Sequence, residues 1–80
     1  MNVEDLPAEI SDEDFQTLFL RESKGLTADF LSSRLHISIP TIRRYADGTS
    51  RPYRMVRRHI LCAIRAFREA AESYKRHPNG

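Results

Sequence analysis

The sequence predicts an all-α fold, a small four-helix domain without strands, from three observations. Apolar residues recur at helical spacing in four stretches. Hydroxyl residues suited to N-caps (Ser11, Thr27, Ser38) precede three of them, and Gly25, Gly48 and Pro78 stand where helices should stop. No stretch shows the period-two alternation of a half-buried strand. A chain of 80 residues, 40% hydrophobic and 30% charged, has room for one such domain with one modest core.

The elements follow in order. Residues 1–10 form an acidic leader, expected to be mobile or loosely docked, and residues 11–76 form the domain. Ser11 caps the first helix by accepting from the backbone near Asp14, and the acids of the first turn suit the helix dipole. Phe15, Leu18, Phe19 and Glu22 share one side of it, and Gly25 is its natural stop. Thr27 caps a short second helix, Ala28 to Leu35, whose inner face is Ala28, Leu31, Ser32 and Leu35. His36, Ile37 and Ser38 make a turn. Ser38 caps the third helix, and Pro40 in its first turn removes only an N–H that lacks a helical partner. Gly48 closes that helix. A fourth helical pattern starts at Pro52 and runs to Arg76, and residues 77–80 are a tail.

At about 100° per residue the fourth helix separates into two arcs. Val56, Ile60, Ala63, Ile64, Phe67, Ala71 and Tyr74 form the arc expected to pack; Arg54, Arg57, Arg58, Arg65 and Arg68 form the arc expected to meet solvent or phosphate. So long a helix exceeds what a chain of this size covers. Its distal half is therefore expected to pack on the first helix or on a second subunit, giving a homodimer.

Charge is distributed unevenly. Residues 1–20 contain six acids and no base, a net of −6, whereas residues 21–80 carry +8. Nine arginines fall between Arg34 and Arg68 against one acid, Asp47. Such clustering is the electrostatic footprint of a surface that meets phosphates; the bland alternative is a solvated basic face. The acidic leader either shields that surface, recruits a partner or adds solubility.

Other chemistries find little support. Cys62 is the sole cysteine, which excludes an internal disulfide and suits a reducing cytoplasm. His36, His59 and His77 have no metal-ligand spacing with it, no glycine-rich phosphate loop occurs, and no catalytic constellation can be assembled. The chain is accordingly expected to be no enzyme and to use no metal or cofactor. No apolar run is long enough to span a bilayer.

From Leu20 to Pro52 the residues carry a resemblance. Arg21, the run Gly25-Leu26-Thr27, the spaced Leu31 and Leu35, Thr41-Ile42, Arg44-Tyr45, Gly48 and Pro52 resemble, without gaps, the Cro- and phage-repressor-type (XRE-like) helix-turn-helix domains. The likeness implies a helix-turn-helix over Thr27 to Tyr45, with Leu31, Leu35, Ile37, Ile42 and Tyr45 buried between crossed helices. It implies a bacterial or phage DNA-binding protein, associated with the nucleoid. The function expected is a small transcriptional repressor reading a double-stranded operator, as a homodimer on half-sites about 10 bp apart. The alternatives are an adaptor or antiactivator that keeps the fold but binds a protein partner, and a recombination-directionality factor.

In that family the third helix enters the major groove, which makes Ser38, Ile39, Pro40, Arg43 and Arg44 the candidates to contact bases. Arg43 is the strongest, since a guanidinium can donate twice to a guanine edge; Arg44 suits a base or a phosphate equally. Ile39 and Pro40 either touch a thymine methyl or simply start the helix. Thr27, Thr49, Ser50, Arg51, Tyr53 and Arg54 are the candidates for phosphate. The sequence departs from the family at Ala28, where glutamine is common, at His36, where glycine is usual in the turn, and at Ala46, where a glutamate usually pairs with the arginine at 21. Asp47 is the nearest substitute partner; otherwise Arg21 is solvated. Phe30, where a polar residue is usual, is expected to cover the leader or a partner.

Overall fold

A computed structural model describes residues 6–76, with side chains described through 73. The four helices are α1 (Asp12–Glu22), α2 (Ala28–Leu35), α3 (Ile39–Asp47) and α4 (Arg54–Arg76), and the domain is all-α. Three caps form as the sequence dictates. Ser11 Oγ accepts from Asp14 N at 3.1 Å, Thr27 Oγ1 from Phe30 N at 3.0 Å, and Ser38 Oγ from Thr41 N at 3.4 Å. Each satisfies an N–H that the first helical turn leaves unpaired. α1 stops at Glu22, ahead of Gly25, with Ser23 as its C-cap donating both its backbone N–H (2.9 Å) and its hydroxyl (2.7 Å) to the Phe19 carbonyl. α4 starts at Arg54, beyond Pro52.

α1 lies against α3 and α4, while α2 packs across α3 and touches α4. Phe15, Phe19, Ile42, Tyr45, Leu61 and Ile64 are buried at the junction. The Tyr45 ring meets Phe15 and Phe19 edge-on, with centroids 5.5 and 5.8 Å away, the arrangement that aromatic quadrupoles favour. Leu31 is buried from α2, whereas Leu35 and Ile37 are only partly covered.

The leader needs correction where it is described. Leu6 and Ile10 are buried in the core, so this end of it is docked. Ile10 also accepts a hydrogen bond from Arg57 through its carbonyl (2.9 Å). Residues 1–5, with the acids Glu4 and Asp5, lie outside the described residues, as does the tail 77–80 with His77.

α4 requires the larger correction, because its charged arc turns inward. Leu61, absent from the expected apolar arc, is fully buried, while Val56 on that arc is 40% exposed; the Tyr74 side chain lies outside the described residues. Arg57 and Arg65, expected to face water, are buried. Arg57 is held by the Pro52 and Ile10 carbonyls and by Asp12, whereas for Arg65 the cause is Glu22, only 1% exposed. Arg65 meets it through Nε (2.9 Å) and Nη2 (2.6 Å), Arg21 through Nε (3.0 Å) and Nη2 (2.7 Å), and Arg68 at 3.4 Å. Arg68 also donates to the Arg21 and Glu22 carbonyls at the end of α1 (3.1 and 2.9 Å). A buried carboxylate is tolerable only when paired, so α4 rotates to bring its guanidiniums to α1. Chiefly through the Arg65 hydrogen bonds, against the opposing effect of burial, the Glu22 carboxyl is held down to about 2.

Two more side chains find partners inside the domain. Arg21 pairs with Glu22, while Asp47 binds Thr49. Phe30 has a neighbour within the domain: its ring packs edge-on against Phe67 of α4, 6.4 Å between centroids, and the Arg34 guanidinium lies 5.1 Å from its centre.

Candidate nucleic-acid interface

α3 is presented by a tight turn. His36 takes the left-handed conformation (φ 60°, ψ 39°) in place of the glycine usual in such turns, and its N–H reaches the Ser32 carbonyl at 2.9 Å. A histidine there is strained but tolerated, because the Ser32 bond and the packing of α2 on α3 hold the turn on both sides. Ser38 then opens α3, and its hydroxyl also donates to Thr41 Oγ1 (2.9 Å).

Ile42 and Tyr45 anchor α3 inward, which turns Pro40, Arg43 and Arg44 outward. Ser38 is exposed beside them and Ile39 is half-buried. The five candidates for base contact thus sit on one helix, and two guanidiniums occupy its outer face. Asp47 shares that face, but its carboxylate accepts from the Thr49 backbone (3.0 Å) and hydroxyl. Those hydrogen bonds, with the charge of Arg44 adding to them, hold its carboxyl below the usual range. The Thr49 hydroxyl is therefore engaged at the end of α3.

The end of α3 is clamped by a residue that sequence reading passes over. Gln16 donates from Nε2 to the Ala46 carbonyl (3.0 Å) and lies under Gly48 (φ 82°). The positive φ at 48 favours glycine, and a Cβ there would stand 2.8 Å from Gln16 Oε1, so the end of the Gln16 side chain would have to shift. A polar residue adjoining Phe15 carries no local sign of this role.

The other candidates for phosphate divide. Thr27 is exposed at the start of α2, with its hydroxyl oxygen occupied by the cap. Tyr53 is 86% exposed, Arg54 is exposed, and Ser50 is half-buried. Arg51 is exposed but donates from Nε to the Asp12 carbonyl (3.2 Å). Asp12 itself pairs with Arg57 at 2.6 Å. The Arg57 hydrogen bond and charge, with Arg51 and Arg54 contributing, hold the Asp12 carboxyl below its ordinary value. Glu13 and Asp12 flank Arg54 around a shallow hollow. The basic loop after α3 therefore stands against the acidic start of α1. Compositional asymmetry hides this contact, because the two segments are far apart in sequence.

The inventory of arginines changes accordingly. Arg57, Arg65 and Arg68 are committed to α1, the leader and the loop, while Arg43, Arg44 and Arg54 point outward. Among the described residues no helix is long and apolar enough to cross a membrane. No protein-family model, curated protein or solved structure matches the chain.

Proposed function

We propose that the protein binds double-stranded DNA sequence-specifically, with α3 in the major groove, and acts as a small transcriptional repressor. The reading rests on one observation: Arg43 and Arg44 stand outward on a short helix whose other side is locked by Ile42 and Tyr45. A helix held rigidly and bearing two guanidiniums is suited to present bidentate donors to guanine edges. The likeness to Cro- and phage-repressor-type domains, carried by residues 20–52, supports the same reading. Ser38, Ile39 and Pro40 lie at the end of α3 that reaches the bases first. Thr27, Ser50, Tyr53 and Arg54 hold phosphate on either side, with Arg51 and Thr49 joining after they exchange intramolecular partners for phosphate oxygens. A homodimer would place two copies of α3 on related half-sites, and the protein would be found with the nucleoid.

The test is binding to duplex DNA across a salt series, with alanine at Arg43 and at Arg54. Contact with about five phosphates gives a slope of log K against log[salt] near −4 to −5. Arg43→Ala relaxes base preference at one position, whereas Arg54→Ala weakens all sequences alike. Salt-independent binding, or equal loss on every sequence for both variants, overturns the reading.

A further inference from the structure

We propose that the outward face of α4 is a self-association surface, on which a second copy of this chain lays its own α4 antiparallel to the first. The surface supplies the homodimer that the proposed function rests on, and it can be tested with no DNA present, so the two readings fail separately.

The charge pattern of α4 is inverted for a helix at a protein surface. Counted at about 100° per residue, all its charged side chains from Arg54 to Glu72 fall within roughly a third of the circumference, an arc that contains the buried Leu61, Arg57 and Arg65. The opposite side should carry charge if it faced water. It holds Met55, Val56, His59, Ala63, Ala66 and Ala70 instead. Met55 is 92% exposed and Val56 40%. Isolated exposed apolar residues are ordinary, but a charge-free stripe along the longest helix marks an interaction surface.

Shape selects the occupant. Beyond Ala63 the stripe ends in a groove of about 420 Å³ among Phe30, Arg34, Phe67, Ala70 and Ala71. Before Ala63 it ends in the projecting Met55 and Val56. One helix thus carries a knob and a hole on one face, with small residues between them that let two backbones approach closely. Ala63 is midway between Val56 and Ala70 in sequence. A twofold axis at Ala63 therefore sets each copy's Val56 opposite the partner's Ala70, and both grooves fill together. That is the self-complementarity that an isologous dimer requires. A parallel pair stacks knob on knob and leaves both grooves open.

Charge agrees with the antiparallel order. Arg58 and Glu69 lie on the same flank of the stripe, on opposite sides of Ala63. Antiparallel pairing brings the Arg58 end of one flank to the Glu69 end of the other, whereas in a parallel pair the two flanks lie on opposite edges and do not meet.

Sedimentation equilibrium of the whole chain, without DNA, should give the dimer mass at micromolar concentration. Ala66→Glu, an exposed substitution by a good helix former, should leave the helical circular dichroism intact and weaken association by more than tenfold. In a Cys62→Ser background, Ala63→Cys should oxidise to a cross-linked dimer, because the axis brings the two copies of that position within disulfide reach. Val56→Cys alone should not cross-link, whereas Val56→Cys combined with Ala70→Cys should. A monomer mass for the natural chain overturns the proposal, as does a dimer unaffected by Ala66→Glu. Cross-linking by Val56→Cys alone, the mark of a parallel pair, also overturns it.

Discussion

Glu22 has the largest individual effect on stability that the structure suggests. Its carboxylate neutralises guanidiniums that have left water, and Arg65 is itself almost fully buried beside it. Removing one member of a buried pair leaves the other uncompensated, a loss of about 3–5 kcal/mol. A domain of this size has a total stability of about 4–12 kcal/mol, so Glu22→Ala should unfold at far lower urea concentration, or fail to fold. The acid dependence has a definite sign. The folded carboxyl sits at about 2, below its ordinary value of 4.5. Its contribution is therefore complete above pH 4.5 and disappears as pH falls from there through about 2. The change is of the order of 3 kcal/mol. Urea melts across that range should show the decline, and Glu22→Gln should flatten most of it.

At the scale of elements, α3 is held from two sides: His36 sets its entry, and Gln16 under Gly48 sets its exit. Gly48→Ala forces an L side chain into positive φ and against Gln16, which should cost about 1–3 kcal/mol. Thermal melting should record the drop, and DNA affinity should fall with it as α3 loses its fixed end. The elements also show what can be read from sequence. Caps at Ser11, Thr27 and Ser38, the turn at His36 and the glycine at 48 are local devices, so a few adjacent residues reveal them. The face of α4 is not local. Its arginines look solvated until Glu22, distant in sequence, is known to be buried, and a similar gap conceals the Arg51–Asp12 contact. That Pro40, Arg43 and Arg44 face outward was legible because the inward Ile42 and Tyr45 fix that face by periodicity, whereas their proposed contact with bases comes from the family resemblance.

For the whole molecule, acidic and basic segments that look like separate regions in sequence lie against one another. Asp12 and Glu13 stand beside the Arg51–Arg54 loop, so on the proposed reading DNA approaching that loop also meets their negative charge. Glu13→Gln removes one charge from this rim without touching the Asp12–Arg57 pair. It should raise affinity for unrelated duplexes about two- to fivefold, in line with about 0.5–1 kcal/mol for an exposed pair, with the gain shrinking at high salt. Fluorescence anisotropy with a non-cognate duplex would read it. On the proposed reading, the α1 acids limit indiscriminate phosphate binding and leave discrimination to Arg43 and Arg44.

The central claim, that α3 reads base sequence, is tested most directly by selection from a random duplex pool with the natural chain and with Arg43→Ala in parallel. The natural chain should enrich one motif containing a guanine that the Arg43→Ala pool no longer requires. Failure of the natural chain to enrich any motif, or enrichment of the same motif at full strength by both proteins, would contradict the claim.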